Sequence, residues 1–487
     1  MVNFRPLAFL ALPVLFVLAS CSSLTTGSGG SHSLLWIPPL LEGTATPTGT
    51  EFNLSVPATS KSFLSGKETA TYSYNGAGFW GPTLVFNKGD KVTIHVNNNL
   101  SEQSTTHWHG LHVPAAMDGG PMQVVEPGAL WSPTFTVMNQ AATFWYHPHL
   151  HTTTAKHLAL GAGGFLLVRD ADEAKLALPR TYGVDDLPVV LTSRTFDASN
   201  QIQTDTIYGD RLLANGTLNA EATVGAQVVR LRLLNAEIER AYSLGFADNR
   251  TFFVIGGDGG LLEKPVPVTR LLMSPGERYE VLIDLTKDAV GSSVPLQAYN
   301  GGQAFGFPGG EPNKTGGFGS LLNNTTFEVL NLKVEAAGGE ALLTIPTTLI
   351  TNNYPTAAEV SNSRTINITD QGPGTPFTFD NAGYDMMMIN QTVKLGATEK
   401  WSVVNDFVFG HSFHIHDVQF KLVSRSSGPV GAWESGWKDT FFIQRNETVS
   451  FIARFEDFAD PVNAFMYHCH MANHEDGGLM GQFVVVP

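Results

Sequence analysis

The segment FMYHCHMANHEDGGLMGQFVVV, at 465–486, carries the pattern from which the fold can be predicted. It begins and ends with strand-like runs of about six residues, and two glycines lie between them. An earlier part of the chain repeats this arrangement, with FWYHPH at 144–149 and GGFLLV at 163–168. In both places the first run ends in two histidines spaced two residues apart. The repeat predicts two copies of one strand-based unit, each bearing a histidine pair.

A second repeat occurs three times, as GDKVTIHVN at 89–97, GAQVVRLRLLN at 225–235 and GATEKWSVVN at 396–405. Each copy starts with a turn glycine, continues as a strand and ends in asparagine. Many short strands between turn residues are typical of β-sandwiches, and 487 residues are enough for several domains. We therefore predict an all-β fold of three tandem sandwich domains. The predicted domains span 45–178, 179–338 and 339–487.

The composition is that of a globular protein. Hydrophobic residues make up 43% of the chain and charged residues 15%, which supplies an ample core and argues against disorder. The formal net charge is −15. Because binding to a phosphate backbone needs clustered Lys and Arg, this charge argues against a nucleic-acid partner.

The N-terminus predicts export. Residues 1–20 combine one positive charge with an apolar run too short to span a membrane, and LASC at 18–21 resembles the lipobox of bacterial lipoproteins. We expect a signal peptide over 1–20, lipidation of Cys21, and a flexible tether over 21–44. The protein would then be held on the periplasmic side of a bacterial membrane through the lipid alone. An ordinary secretory signal with an incidental cysteine is the alternative.

Four histidine pairs with a spacing of two residues stand out among the 15 histidines. Residues i and i+2 of a strand face the same side, so each pair presents two imidazoles to one point. Eight imidazoles are too many for one ion and suit a cluster of three. The pairs are His107/His109, His147/His149, His414/His416 and His468/His470.

Cys469 lies between His468 and His470, so its side chain points to the opposite face of the strand. His411, three residues before His414, also faces away from its neighbouring pair. With His474 they form a second predicted site of two imidazoles and one thiolate, the ligand set of a blue-copper centre. A zinc hydrolase, the alternative for clustered histidines, uses about three protein ligands rather than this larger set.

The motifs HWHG at 107–110, HPHLH at 147–151, HSFHIH at 411–416 and HCHMANHE at 468–475 resemble the four copper motifs of the multicopper oxidases. The resemblance extends from about residue 45 to 487 and is strongest to the bacterial three-domain branch of laccase-like and copper-efflux oxidases. It implies Greek-key cupredoxin domains and four copper ions: one type 1, one type 2 and two type 3. It also implies that four one-electron oxidations of a substrate are coupled to reduction of dioxygen to two waters.

The resemblance also implies a ligand assignment. The type 2 copper would be held by His107 and His414, and the type 1 copper by His411, Cys469 and His474. The middle domain has no ligand motif and is expected to be architectural. The type 3 pair would be held by His109, His147, His149, His416, His468 and His470.

Two carboxylates resemble the proton-relay residues of this family: Asp118, in the MDGGP turn, and Glu475, directly after His474. Oxygen reduction consumes four protons, and a nearby carboxylate can deliver them. The alternative for Asp118 is an ordinary turn residue before two glycines.

The sequence departs from the family at the axial position of the type 1 copper. Relatives have methionine ten residues after the cysteine, where this chain has Leu479, and Met480 follows. A one-residue offset on a strand turns a side chain to the other face, so we expect Leu479 to be a non-ligating axial neighbour. A bulge at 477–478 would be needed for Met480 to reach the copper. Loss of the thioether should raise the copper potential.

The electron donor is the least constrained prediction. We expect laccase-like oxidation of phenols or aromatic amines by a monomer. A cuprous oxidase is an alternative, since Met386, Met387 and Met388 could dock Cu(I), although we favour a buried strand there. A non-catalytic scaffold derived from an oxidase is an alternative of another class, and retention of all eleven ligand residues argues against it.

Overall fold

A computed structural model of the chain describes residues 31–370 and 377–487. The predicted signal peptide, Cys21 and residues 22–30 of the predicted tether lie outside the described residues. No helix in the described ranges is both long and apolar enough to cross a membrane. The fold is nearly all β-structure, as predicted, and consists of three two-sheet sandwiches in tandem.

The first sandwich packs its two sheets around Phe52, Ile94, Trp108 and Phe144. The first strand of the chain, β1 Ser33–Leu34, joins the second sandwich. The strands of the first sandwich are β2 Leu40–Leu41, β3 Thr44–Thr46, β4 Gly49–Lys61, β5 Thr69–Tyr72, β6 Thr83–Asn87, β7 Lys91–Asn99, β8 His107–His109, β9 Leu130–Trp131, β10 Thr134–Thr136, β11 Ala142–His147 and β12 Gly164–Arg169. One sheet has the order β10-β7-β4-β3, with β5 on β4 and β9 on β7. The other has the order β2-β6-β12-β11-β8.

The second sandwich has the largest continuous core, in which Leu231, Tyr242, Val281 and Leu330 are fully buried. Its strands are β13 Asp186–Arg194, β14 Arg211–Ala214, β15 Ala220–Gly225, β16 Val228–Asn235, β17 Tyr242–Phe246, β18 Phe252–Gly257, β19 Gly260–Val268, β20 Leu271–Met273, β21 Arg278–Asp284, β22 Ser293–Tyr299 and β23 Thr326–Glu335. The two sheets have the orders β1-β15-β23-β22-β17-β20 and β14-β13-β16-β21-β18-β19.

The third sandwich buries Trp401, Phe413, Phe451 and Phe483 between its sheets. Its strands are β24 Asn362–Thr369, β25 Thr378–Phe379, β26 Gln391–Lys394, β27 Ala397–Asn405, β28 His411–Ile415, β29 Phe420–Arg425, β30 Trp437–Lys438, β31 Thr440–Ile443, β32 Glu447–Phe455, β33 Asp460–Cys469 and β34 Met480–Val486. The sheets have the orders β25-β24-β27-β32-β29-β30 and β26-β34-β33-β28-β31. Two short α-helices, α1 Thr154–Ala159 and α2 Ala472–Asp476, and five 3-10 helices of three residues each complete the described fold.

Both sequence repeats correspond to repeated structure. The three glycine-to-asparagine segments form β7, β16 and β27, and in β7 the alternating residues Val92, Ile94 and Val96 point into the core. The two histidine-bearing segments form antiparallel pairs, β11 with β12 and β33 with β34. Each sandwich with metal-ligand candidates therefore carries them at the end of an equivalent strand.

The predicted tether over 21–44 is wrong in its last part. Strands β1, β2 and β3 all begin within it, and Leu35 is buried against the second sandwich. The backbone N–H of Leu35 donates to the carbonyl of Glu221. The apolar residues LWI at 35–37, which are buried or half-buried, explain the difference, because such side chains gain more from burial than the chain loses by being ordered.

Candidate metal centres

Eight histidine side chains from the first and third sandwiches converge, and each is at most 1% exposed. We call this group the histidine cluster. Strand register brings its members together: His107 pairs with His147 between β8 and β11, and His414 pairs with His468 between β28 and β33. Residues opposite each other on paired strands share a face, so each sandwich contributes its imidazoles to one side. The members are His107, His109, His147, His149, His414, His416, His468 and His470.

Three members of the histidine cluster form a triangle of nitrogen atoms. The Nε2 atoms of His149, His416 and His468 lie 3.1–3.3 Å from one another. Three neutral imidazoles cannot all be hydrogen-bonded in such a triangle. The separations are those of ligands bound to one ion at about 2 Å.

A second trio lies beside the first. Nε2 of His470 is 3.1 Å from Nδ1 of His109, and the His147 ring is within 5.7 Å of both rings, measured between centroids. The indole of Trp145 stacks on His147 at a centroid distance of 4.1 Å. The Trp145 indole therefore restricts rotation of the imidazole side chains in this trio.

The remaining two histidines present free nitrogen atoms to the same space. His107 donates from Nδ1 to the carbonyl of Asp118, and His414 donates from Nδ1 to the carbonyl of Asp439, each at 2.9 Å. The Nε2 atoms of both are buried and have no hydrogen-bond partner among the described residues. A fixed Nδ1–H leaves the Nε2 lone pair available, which is the usual arrangement of a metal-binding histidine.

Burial also sets the protonation of these side chains. It lowers the pKa of His149 to about 3, and it lowers the pKa of His109, His147 and His416 well below the ordinary histidine value. Neutral imidazole is the form that binds a metal. These four histidines are therefore in the metal-binding form at neutral pH.

Carboxylates border the histidine cluster on several sides. One oxygen of Asp118 lies 2.6 Å from Nδ1 of His416 and the other 3.4 Å from Nδ1 of His107. Glu475 lies 3.1 Å from Nδ1 of His149 and 3.3 Å from Nδ1 of His468. Burial opposes ionisation of Asp118, but His416 and His107 together hold its pKa well below the ordinary value. The structure thus places both predicted relay residues against ligand candidates.

The second predicted site is also assembled, and we call it the Cys469 site. The Sγ atom of Cys469, a free thiol, lies 3.6 Å from Nδ1 of His411 and 3.6 Å from Nδ1 of His474. Ligand atoms about 2.1 Å from a shared ion in a trigonal array are separated by about 3.6 Å, so the set fits a metal. Burial raises the thiol pKa to about 12, while backbone N–H groups of Met471 and Ser412 directed at the sulfur act in the opposite sense.

Leu479 and Met480 lie on opposite faces of the terminal strand. Leu479 belongs to the same buried apolar cluster as Cys469, and its carbonyl accepts the Cys469 N–H. Met480 pairs with His468 in the β33–β34 register and therefore shares the histidine face. This geometry is consistent with Leu479 as the axial neighbour, which stays a prediction.

The prediction of a buried strand at 386–388 is wrong. The segment is a turn, and Met387 is 83% exposed. The Asp385 carboxylate accepts the backbone N–H of Met387, which favours a turn over a strand. Gln482 on β34 holds the turn by donating to three of its carbonyl groups.

Sequence reasoning missed three buried charged residues near the two sites. Asp439 lies 3.3 Å from Nε2 of His109, Arg278 forms an ion pair with Asp439, and Glu239 lies 3.9 Å from Nε2 of His474. None of the three is next to a histidine in the sequence. Arg278 and Glu239 come from the middle domain, which has no ligand motif to draw attention to them.

Comparison with sequence families supports the same chemistry. Three family models, each described as multicopper oxidase, match residues 55–173, 190–292 and 355–487. The cell division protein FtsP of Photorhabdus laumondii is 33% identical over 95% of this chain and 94% of its own length. The multicopper oxidase Mco of Staphylococcus aureus is 31% identical over 87% of this chain and 86% of its own length.

Solved structures give a consistent result. The laccase-like multicopper oxidase CueO from the lignin-degrading bacterium Ochrobactrum sp. superposes with a TM-score of 0.82 at 33% identity, covering 93% of this chain and all of that one. A Campylobacter jejuni multicopper oxidase described as a metallo-oxidase superposes with a TM-score of 0.80 at 26% identity, covering 94% and 96%. The family implies copper in the two sites, dioxygen as acceptor and a reducing substrate. This chain belongs to the multicopper oxidase family.

Proposed function

We propose that the protein is a laccase-like oxidase that takes electrons from phenols or aromatic amines at the Cys469 site and passes them to dioxygen at the histidine cluster. The observation that carries this is a difference in exposure. The His474 side chain is 16% exposed, whereas His411 and all eight cluster histidines are sealed. His474 faces Cys469 through Nδ1, so its Nε2 edge is the one a donor can approach.

The surroundings of that edge suit aromatic donors. Phe377 packs against both His411 and His474, with ring centroids within 4.9 Å. Nearby, Phe318 stacks on Phe409, two residues before His411, at 5.9 Å between centroids, and Phe305 lies 6.2 Å from Phe409. Phe305 and Phe318 remain 62% and 45% exposed. Exposed, clustered aromatic rings that contact a residue two positions before a ligand candidate favour a ligand that can stack on them.

A buried carboxylate beside His474 suits a donor that loses a proton with its electron. Glu239 accepts a hydrogen bond from the side chain of Asn473 at 2.8 Å. Burial, with a contribution from Glu311, raises the pKa of Glu239 to about 8. A phenol hydroxyl placed between Glu239 and His474 would pass its electron to His474 and, above a pH of about 8, where Glu239 is ionised, its proton to the Glu239 carboxylate.

The chain connects the two sites covalently. Cys469 is flanked by His468 and His470, so an electron arriving at the sulfur has a short backbone path to both trios of imidazoles in the histidine cluster. Four bound copper ions, one of type 1, one of type 2 and two of type 3, would supply the one-electron carriers and the site of oxygen reduction. Asp118 and Glu475 each have carboxylate oxygens within 3.4 Å of the outer nitrogen atoms of two ligand candidates, a position that would suit proton delivery.

Two other functions have some support. The exposed Met386 and Met387, with the half-buried Met388, offer thioether groups, which suit Cu(I), and would fit a cuprous oxidase. Similarity to proteins named cell division protein FtsP raises a scaffolding function without catalysis. The eleven ligand residues, assembled with metal-like spacings, argue against the scaffold.

Oxygen uptake distinguishes these functions. A copper-loaded form starting at Ser22 would be supplied with a methoxyphenol or with Cu(I). Fast turnover on the phenol, with a reduced rate in Glu239→Gln and an unchanged rate when Met386, Met387 and Met388 are replaced by leucine, supports the proposal. The reverse pattern would favour the cuprous oxidase. Full copper content with no uptake on either donor would favour the scaffold.

For localisation we propose export and attachment through lipidated Cys21. Replacement of Cys21 by serine should move the protein from the membrane fraction to the soluble fraction. The same distribution for both forms would contradict the anchor. Sedimentation of the form starting at Ser22 should show the expected monomer.

A further inference from the structure

The middle domain contributes no residue to either ligand set, yet one of its turns reaches both. This turn, SPGER at 274–278, connects β20 with β21, and we call it the 274–278 turn. We propose that the 274–278 turn positions the ligands of both metal sites, with Arg278 as its principal positioning residue. The proposal rests on copper filling the two sites, as in the proposed function, and is independent of the donor.

Arg278 acts on the histidine cluster through Asp439. Its guanidinium is fully buried and donates to both carboxylate oxygens of Asp439, at 2.7 and 2.6 Å. The same Asp439 lies 3.3 Å from Nε2 of His109, and its carbonyl accepts the Nδ1–H of His414. A bidentate pair fixes the plane of the carboxylate and so the oxygen that faces His109, while the backbone of the same residue holds His414.

Arg278 also connects the three sandwiches. Its Nε donates to the carbonyl of Thr143 on β11 of the first sandwich, at 3.1 Å. Its backbone N–H donates to Asp258 of the second, at 2.7 Å, and Asp439 belongs to the third. The histidine cluster is built between the first and third sandwiches, so a rigid residue that binds both can set the distance between the two halves.

Two glycines leave room for this arrangement. Gly110, the last residue of HWHG, has a φ of +86°, and a Cβ there would lie 2.5 Å from Asp439 and 2.7 Å from the Arg278 guanidinium. Gly276 has a φ of +88°, and a Cβ there would lie 2.9 Å from the ring of His470. Both contacts are closer than side chains tolerate, so the backbone of the 274–278 turn supports the His470 ring directly.

The same turn also supports the Cys469 site. The hydroxyl groups of Ser274 and Ser412 are 2.8 Å apart, and Ser412 donates to the carbonyl of Pro275 at 2.6 Å. Ser412 follows His411, and its backbone N–H is directed at the sulfur of Cys469. Glu277 accepts the backbone N–H of Ser274 at 2.7 Å, so the Ser274 hydroxyl can donate to Ser412 and the contact is anchored from the middle domain.

The two ends of the turn should therefore affect different sites. Loss of Arg278 should disturb the histidine cluster and leave the Cys469 site intact. Loss of the Ser274 hydroxyl should shift the spectrum of the Cys469 site and leave the histidine cluster intact. A middle domain that is only a spacer would show neither pattern.

The test uses the holoprotein with Arg278→Lys, Arg278→Met and a matched control, Arg230→Lys. Arg230 is equally buried in the same domain and pairs with Glu280 and Glu173, away from the ligand candidates. The readouts are copper per chain, the type 2 electron paramagnetic resonance signal, the blue absorption and the thermal unfolding midpoint. We expect Arg278→Met to weaken copper retention in the histidine cluster about 10- to 100-fold and to alter the type 2 signal. Arg278→Lys should fall between it and the parent.

Several results would overturn the proposal. One is an Arg278→Met variant that keeps full copper and an unchanged type 2 signal, and whose thermal unfolding midpoint falls no further than that of Arg230→Lys. Another is an Arg230→Lys control that loses copper as Arg278→Met does. If Arg278→Met does not fold, Gly276→Ala provides a second test, because an unaltered copper content there would contradict support of His470, which is assigned to the type 3 pair. A parent that binds no copper would refute the proposed function, and this inference with it, whereas a parent with normal copper but no donor oxidation would refute only the former.

Discussion

The histidine cluster and the Cys469 site meet at His468–His470 but have opposite environments. The histidine cluster is sealed from solvent, and Asp118, Asp439 and Glu475 border it. The Cys469 site packs against apolar side chains such as Leu479, and one of its ligands reaches the surface. Buried carboxylates can hold and deliver protons, whereas an apolar setting accepts an electron with little rearrangement. The difference indicates that protons and electrons reach the reaction by separate routes.

Removing the electron route should have the largest effect. Cys469→Ser deletes the sulfur that lies 3.6 Å from both His411 and His474 but keeps the eight histidines. We expect the blue absorption to vanish and phenol oxidation to fall to the level of the copper-free chain, while the type 2 signal remains. Retention of more than background turnover would show that electrons can enter without the Cys469 site.

Changing the proton route should have the second largest effect. Asp118→Asn keeps the size of a side chain that lies 2.6 Å from His416 but removes its charge. We expect donor turnover to fall about 100-fold, with the blue absorption unchanged. A stopped-flow measurement should show fast reduction of the Cys469 site and slow reoxidation by dioxygen. Slow reduction instead would mean that the two routes are not separate.

The axial position allows a smaller change confined to the Cys469 site. Leu479→Met would restore a thioether next to the sulfur, and we expect the potential measured by redox titration of the blue band to fall. The type 2 signal should not change, because the Leu479 side chain faces away from the His468 face. A potential that rises or stays level would contradict Leu479 as the axial neighbour.

The smallest effect concerns stability outside both sites. His112 bridges Asp417 and Asp457, at 2.7 and 3.3 Å, and these charges outweigh burial and raise its pKa to about 9. Because the folded pKa is above the ordinary value near 6.5, the stabilisation is full below pH 6.5 and is lost as pH rises through 9. His112→Gln should cost at most about 3 kcal/mol at pH 6 and much less at pH 10, by denaturant unfolding. A cost independent of pH would contradict the charge pairing.

Residues with a regular spacing on strands could be predicted from the sequence. The parity of His468, Cys469 and His470 indicated two sites on opposite faces, and the structure assembles both sets of side chains. The three sandwiches followed from repeated strand segments with turn residues between them. In both cases the information is local, because a strand of known period determines which side chains share a face.

Contacts that depend on distant segments could not be predicted. Arg278 and Asp439 are 161 residues apart, and nothing in the periodicity of β21, or of β30 and β31 on either side of Asp439, pairs them. The methionine turn at 386–388 is held by hydrogen bonds from Gln482, more than 90 residues along the chain. The order of residues 33–44 depends on pairing with strands far along the chain. Such contacts follow from how the domains dock, which pattern analysis of one strand does not describe.

The most direct test of the central claim is the ratio of phenol oxidised to dioxygen consumed by the copper-loaded protein, with hydrogen peroxide assayed in the same reaction. In the proposed mechanism, electrons reach the sealed histidine cluster through the Cys469 site and protons reach it through the bordering carboxylates. This predicts four one-electron oxidations for each dioxygen and no released peroxide. A ratio of two with peroxide released, or no uptake by a fully copper-loaded chain, would contradict it.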